Sequence, residues 1–436
     1  MKKKNLRKII IILFWITVWF LGAKAVNNSI LLATPSQAFA ELISMFGNAE
    51  FYRTVGCSLI RIAGGFCSGF IAALILALFG SRFTFLEEIL SPVMTLLKAV
   101  PVASFVVLLL IWWGSSFLAV AVCFVVVLPN IYINTLEGLK NTDKQLLQMA
   151  QVFHMPLKNR LFYIYRPSLA PFLYSGMKIS LGMCWKSGVA AEVIGTPDHS
   201  IGEGLYLSKI YLNTAGVFAW TAVVILLSVI FEKFILWIVQ CFLKWTPACA
   251  RPTHRRKSSD IADSKRGLTV SHICKSFGSQ QILTDFCAEY RVGETFVLNG
   301  PSGSGKTTLL HILAGLLRPD SGSVESTGNY SMVFQEDRLC MDYSAVKNVE
   351  MVTGDALRAE EALGKLLEKS ALHKPCRDLS GGMKRRVALV RAMEAESDYI
   401  LLDEPFTGLD SRTRALAEEY IRQRQQGRTV IIVTHI

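Results

Sequence analysis

Residues 296–315 read FVLNGPSGSGKTTLLHILAG, a short apolar strand, a glycine-rich turn and then an apolar helical run. Between Gly300 and Thr307 the spacing is G-x-x-x-x-G-K-T, in the strand–loop–helix setting that a phosphate cradle requires. The glycines let backbone N–H groups wrap a phosphate chain at a helix N-terminus, where the dipole favours anions. The candidate nucleotide-binding residues are therefore Gly300, Pro301, Ser302, Gly303, Ser304, Gly305, Lys306, Thr307 and Thr308. Lys306 would set a cation on the β- and γ-phosphates, and the Thr307 hydroxyl would ligate Mg²⁺. ATP and Mg²⁺ are the cofactors this stretch asks for.

Several further stretches of the same half carry related chemistry. Tyr399-Ile-Leu-Leu-Asp403-Glu404 is a buried strand ending in two carboxylates. Asp403 would hold Mg²⁺, and Glu404, one residue on, would polarise the attacking water. Leu379-Ser380-Gly381-Gly382-Met383 opens a helix and offers a second anion site of N–H groups and a hydroxyl. Gln335 follows an apolar strand over Tyr330–Phe334, and Leu409-Asp410 follows the acidic pair. Val430–Thr434 is another apolar strand, ending at His435, and Phe277 precedes a glycine where its ring can stack an adenine.

The rest of the chain has another composition. Of 436 residues, 51% are hydrophobic, and the mean hydropathy of +0.37 is too high for a soluble protein. Residues 1–245 hold 20 Lys+Arg and 10 Asp+Glu, whereas residues 246–436 hold 26 and 24. Most of the net charge of +12 thus sits in the apolar half. That argues against nucleic acid as a partner, since such a surface clusters charge on a soluble domain. Ten cysteines without a C-x-x-C or other metal spacing read as buried or reduced thiols.

Apolar runs long enough to cross about 30 Å of hydrocarbon lie near residues 9–26, 62–79, 89–112, 116–135, 172–194 and 216–241. With the N-terminus inside, 16 basic residues fall in cytoplasmic connections and 4 outside. Ala23-Lys24-Ala25 also offers a signal-cleavage site, which would leave five spans; a retained anchor is the preferred reading. Lys98, Lys178, Lys186 and Glu192 lie inside spans and are candidates for a solute path, although Lys178 can snorkel to the edge. The connection over 136–171 is long and polar, with a short amphipathic helix and then Pro156, Pro167 and Pro171, and reads as a docking surface. The predicted architecture is an all-α polytopic membrane domain of about six transmembrane helices (1–245), a polar linker (246–266), and an α/β P-loop nucleoside triphosphatase domain (267–436).

The ordered set Phe277, GPSGSGKT (300–307), Gln335, LSGGM (379–383), LLDEP (401–405), Leu409-Asp410 and His435 resembles the ATPase domain of ABC (ATP-binding cassette) transporters. The resemblance implies two domains paired head to tail, each ATP held between one P-loop and the partner's Ser380, Gly381 and Gly382. It makes Glu404 the general base and His435 the γ-phosphate switch, and has Gln335 couple Mg²⁺ and water to the membrane half. It also places Asp410 in the nucleotide site. Met383 stands where many members have Gln. The chain stops one residue after His435, where the family continues with a further strand and helix, so it reads either as truncated or as lacking those elements.

Residues 1–245 are similar to the permeases of binding-protein-dependent importers. Their cytoplasmic loop reads E-A-A, three residues, G, nine residues, I-x-L-P. Here Gln148, Ala150, His154, Ile164, Arg166 and Pro167 stand at those offsets, with Gln for Glu, His for Gly and Arg for Leu. Residues 91–114, 190–195 and 201–214 look most like the nitrate/sulfonate/taurine permeases. The implied protein is one half of a dimeric importer in the cytoplasmic membrane, with its N-terminus and ATPase in the cytoplasm and lipid around its spans. It pairs with a second copy or a related half. An extracytoplasmic solute-binding protein delivers a small anionic or zwitterionic solute, organic or inorganic. The alternatives are an exporter half, which shares the order of domains, and a cassette-bearing scaffold or sensor without flux.

Overall fold

The computed structural model describes residues 2–251, 267–301, 303–326 and 328–434. The chain divides into two compact units, Met1–Asn141 with Ser168–Trp245, and Thr142–Pro167 with Thr246–Ile436. The helices come first: α1 (Lys2–Val26), α2 (Pro35–Phe46), α3 (Ala49–Arg82), α4 (Thr84–Ala99), α5 (Val102–Lys140), α6 (Lys144–Val152), α7 (Leu157–Arg160), α8 (Arg166–Gly195), α9 (Ile201–Ile210) and α10 (Thr214–Lys244).

Among the described residues, four helices are long and apolar enough to cross a membrane: α1 (over Ile9–Val26), α3, α5 and α10. The run expected as one span over 89–112 is divided. Pro101 fixes its own φ and holds Val100 extended (φ −72°, ψ 127°), so α4 ends at Ala99 and α5 begins at Val102. The rest of that run shares α5 with the expected span over 116–135, across a break at Gly114 (φ 73°, ψ 176°). At 30 residues α8 is long enough, but Lys178, Lys186 and Glu192 dilute its hydropathy. Pro167 and Pro171, expected to punctuate a loop, instead lie within α8, which a single π turn over Leu161–Tyr165 joins to α7.

The core of the first unit is the α3–α5 seam, where Ile62, Phe66, Ala73 and Ala77 pack with Cys123, Val127, Ile131 and Tyr132. Gly65 and Gly69 set the approach, as small residues four apart do between membrane helices. A Cβ on Gly65 would lie 2.5 Å from Cys123 Cβ and from the Val120 carbonyl oxygen. Gly65→Val should therefore force the seam apart and cost about 1–3 kcal/mol. The expected result is a lower thermal midpoint in detergent; an unchanged midpoint refutes the tight seam.

Of the in-span charges, Lys98, Lys178 and Lys186 are exposed. Glu192 is fully buried and accepts from Ser58 Oγ (2.7 Å) and the Gly202 N–H (3.3 Å), with Arg61 Nη1 at 3.8 Å. Those partners tie α3, α8 and α9 together, so Glu192 acts as a helix-to-helix tie within this unit.

The second unit carries β1 (Leu268–Phe277), β2 (Gln280–Tyr290), β3 (Thr295–Asn299), α11 (Lys306–Leu313), β4 (Ser321–Glu325), β5 (Tyr330–Val333), α12 (Ala345–Thr353), α13 (Ala356–Leu363), α14 (Lys369–Leu372), α15 (Gly381–Glu394), β6 (Tyr399–Asp403), α16 (Ser411–Gln425) and β7 (Thr429–Thr434). Strands β2-β1-β4 form an antiparallel sheet and β3-β7-β6-β5 a parallel one. Every residue of β6 is buried, which is why that strand reads as an unbroken apolar run rather than an alternation.

Candidate functional site

Strand β3 feeds the glycine-rich loop, and the loop ends on Gly305, the N-cap of α11. Gly303 (φ 82°) and Gly305 (φ 84°) both take left-handed backbone, a conformation that excludes most side chains and turns successive N–H groups toward one point. The Lys306 ammonium lies across the loop, donating to the carbonyls of Gly300 (2.7 Å) and Pro301 (2.8 Å) and to Ser304 Oγ (3.3 Å). Thr307 and Thr308 fall in the first turn of α11, which packs on β6. Ser302 and His435 lie outside the described residues.

Asp403 closes β6 and is fully buried. Glu404 follows with φ 50°, left-handed in a residue that rarely adopts it, and non-glycine strain of this kind concentrates at functional positions. Its N–H donates to the Val433 carbonyl (3.0 Å), and Thr407 Oγ1 donates to its Oε2 (3.2 Å). The Thr307 hydroxyl, the Asp403 carboxylate and the Gln335 amide oxygen are hard oxygen donors of the kind Mg²⁺ takes, and that chemistry fits the ion. Phe277, at the end of β1, is exposed, with Lys275 Nζ 5.7 Å above its ring.

Ser380 caps α15, its hydroxyl accepting from the Met383 N–H (3.3 Å), and both Ser380 and Gly381 are exposed. Helix α15 packs on β5, at the opposite edge of the sheet from the strand that carries the glycine loop. Gly382 lies close against the Gly408 carbonyl oxygen, which a Cβ would meet at 2.9 Å. Asp410 caps α16; the Thr413 N–H, donating at 2.8 Å, holds its carboxyl below the usual range.

Two buried arginines of α15 organise the loop that begins at Gln335. Arg385 Nη1 donates to the carbonyls of Phe334 (2.6 Å) and Gln335 (3.3 Å) and to Asp337 Oδ1 (3.1 Å). Its Nη2 donates to the carbonyls of Asp403 (2.5 Å) and Glu404 (2.6 Å). Arg391, fully buried, donates to the carbonyls of Arg338 (2.8 Å) and Asp337 (2.9 Å). Burial draws its guanidinium down to about 10, still charged at neutral pH.

The other side of this loop is covered by residues 142–167, whose Met149, Ala150, Val152, Phe153, Met155, Tyr163 and Ile164 enter the same hydrophobic core as the strands. Gln145 donates to Glu336, and Arg338 Nη1 donates to Gln148 Oε1 (2.9 Å). Arg391 lies 5.2 Å over the Phe153 ring. Fully buried Asn159 donates to the carbonyls of Met351 (2.8 Å) and Ala250 (3.0 Å) and accepts from the Ala250 N–H (2.8 Å). Tyr163 donates to the Pro247 carbonyl, so the start of the stretch read as a linker is pinned by the 142–167 segment.

The substitution of His154 at a motif glycine has a backbone reason. His154 is left-handed (φ 46°) and ends α6 as its C′ residue: its N–H donates to the Gln151 carbonyl (3.1 Å) and the Met155 N–H to the Ala150 carbonyl (2.9 Å). That is the paired bond pattern of a left-handed helix stop, which glycine serves at least cost and histidine tolerates. At the motif's Leu position, Arg166 reaches Tyr343 Oη (3.2 Å).

Comparison with known proteins agrees with this layout. Residues 283–407 match the family described as ABC transporter, and residues 65–242 the family described as binding-protein-dependent transport system inner membrane component. The aliphatic sulfonates import ATP-binding protein SsuB 1 of Rhodococcus jostii is 39% identical over 180 residues, covering 39% of this chain and 73% of that one. SsuB of Corynebacterium glutamicum is 38% identical, covering 39% and 74%. The taurine import ATP-binding protein TauB of a Jannaschia species is 36% identical, covering 39% and 72%. The chain belongs to the ABC transporters, joining an importer-type membrane permease to an ATP-binding domain whose hydrolysis of ATP is coupled to transport.

Proposed function

We propose that the chain is one half of a dimeric ABC importer of the cytoplasmic membrane that takes up a small anionic or zwitterionic solute of the sulfonate or taurine class. The observation that carries this reading is the union in one chain of an importer-type permease with a cassette into whose core the 142–167 segment is folded. The sulfonate and taurine importers among the relatives support the solute class. A pair is favoured because the glycine loop and the Ser380 turn belong to opposite edges of one sheet, and the turn is exposed to a partner.

In this reading the P-loop N–H groups and Lys306 hold the phosphates, Phe277 stacks the adenine, and the partner's copy of the Ser380-Gly381-Gly382 turn closes over the γ-phosphate. Thr307, Asp403 and Gln335 would hold Mg²⁺, which neutralises phosphate charge. Glu404 takes the proton of the attacking water, and His435 senses the γ-phosphate. Movement of the Gln335 loop passes directly to residues 142–167 through Gln145, Gln148 and Phe153. The N-terminus and cassette face the cytoplasm, and an extracytoplasmic binding protein supplies the solute.

The test is uptake of labelled taurine or an alkanesulfonate into proteoliposomes bearing the purified chain, with ATP on the cassette side. Accumulation that needs both ATP and an added solute-binding protein is expected. ATP-driven movement in the opposite direction without such a protein would make the chain an exporter half, and hydrolysis without flux a scaffold.

A further inference from the structure

We propose that His272, Asp285 and Cys287 form a surface site for a thiophilic divalent cation, Zn²⁺ foremost, on the antiparallel sheet of the cassette. One ligand atom from each residue (a ring nitrogen, a carboxylate oxygen and a thiol sulfur) lies within 4.8 Å of the others. His272 Nδ1 and Asp285 Oδ1 are 2.6 Å apart, and the backbone N–H of His272 donates to Cys287 Sγ at 3.2 Å. All three are exposed, so a cation reaches them directly from solvent and keeps a coordination position for water. An imidazole, a thiolate and a carboxylate are the donor mixture that favours Zn²⁺ over Mg²⁺ or Ca²⁺.

The strands are built in a way that makes the cluster. Along β1 and β2, Val270 pairs with Ala288 and Ile273 with Phe286, so β1 carries one extra residue there. The next pairing, Lys275 with Leu283, places the extra residue on β2. Each bulge holds a left-handed non-glycine residue, His272 (φ 53°) and Asp285 (φ 48°). In an unbroken ladder the alternation from Leu268 and Val270, both buried, would send His272 to the inner face. The bulge turns it outward to join Asp285 and Cys287, which already share the outer face, and re-aiming a side chain is a recognised use of a bulge. The third strand yields to the same distortion: a Cβ on Gly322 (φ 87°) would lie 2.3 Å from the His272 carbonyl oxygen. Two opposed bulges and a glycine in the neighbouring strand thus converge on one three-residue cluster.

On binding, the Nδ1···Oδ1 hydrogen bond opens to admit the cation. The Cys287 thiol gives its proton to solvent as the S–metal bond forms, so affinity rises with pH. A tetrahedral zinc site separates its ligand atoms by roughly 3.5 Å, within the 4.8 Å that bounds the present separations.

The experiment uses the full chain purified in detergent, free of nucleotide, titrated with Co²⁺ and then with Zn²⁺ as competitor. One Co²⁺ per chain with a thiolate-to-cobalt charge-transfer band, displaced by Zn²⁺, is expected. Cys287→Ser should abolish the band, and His272→Asn, which tolerates the left-handed backbone, should weaken Zn²⁺ binding at least about tenfold. Cys67→Ser and Cys241→Ser, at other exposed thiols, should leave both unchanged. Retained ATP binding in the two site variants shows that they are folded. A band that survives Cys287→Ser, equal Zn²⁺ affinity in wild type and His272→Asn, or no band in the wild type overturns the site.

Discussion

Glu404→Gln should lower steady-state ATP turnover by about 10²–10⁴-fold, the usual contribution of a positioned general base, and leave ATP binding intact. The substitution preserves size, and an amide oxygen still accepts the bond that Thr407 Oγ1 now makes at 3.2 Å. It preserves the backbone too, because the left-handed turn is fixed by the Glu404 N–H donating to Val433 and by the arginine fork on its carbonyl, neither of which uses the side chain. What is lost is the carboxylate that takes a proton from water. The measurement pairs phosphate release with binding of a fluorescent ATP analogue. A loss smaller than about tenfold would remove Glu404 from the base's role; a parallel loss of binding would mean that the turn had collapsed.

The parts of the site that were legible in the sequence are those where a backbone need selects a residue type. The loop over 300–307 asks for glycine at left-handed positions and a lysine at its end, and β6 announces itself as an apolar run stopped by acids. The 142–167 segment was legible only by offset. His154 looks like a departure until its left-handed φ shows that the position constrains the backbone and not the side chain. Composition failed where two apolar stretches differ only in how the chain turns between them. Nothing in the hydropathy of 89–135 says that Val100–Pro101 separates helices while Gly114 only breaks one. The metal-like cluster was invisible for a related reason: residues 272, 285 and 287 come together through two register shifts that no residue spacing records.

Arg385 was missed outright, being one of three consecutive basic residues, Lys384, Arg385 and Arg386, on a helix that reads as solvent-facing. Its signal was periodicity, since Arg385 shares the i, i+3, i+4, i+7 stripe with Ala388, Leu389 and Ala392, all fully buried. A guanidinium placed in such a stripe has to be matched with acceptors, and here it is, with the Phe334, Gln335, Asp403 and Glu404 carbonyls and the Asp337 carboxylate.

Removing that fork should be the most damaging single substitution for the cassette's stability. Arg385→Met fills much of the same volume but supplies no donor, leaving the ends of β5 and β6 with buried acceptors whose partner is gone. Deleting one member of a buried charged network costs about 3–5 kcal/mol, against about 1 kcal/mol for an ordinary hydrogen bond. Arg385→Lys should fall between, because an ammonium lacks the planar fork that reaches Gln335 and Glu404 together. The readouts are the cassette's thermal midpoint and its rate of proteolysis in the intact chain. Both should worsen in the order wild type, Lys, Met, while Glu404→Gln stays at the wild-type midpoint. ATP turnover should fall in the same order, since the fork fixes the carbonyls of Gln335 and Glu404 from one point. If Arg385→Met loses turnover at an unchanged midpoint, the arginine acts on hydrolysis and not on the fold; if it melts and cleaves ATP as wild type does, the buried fork carries no weight at all.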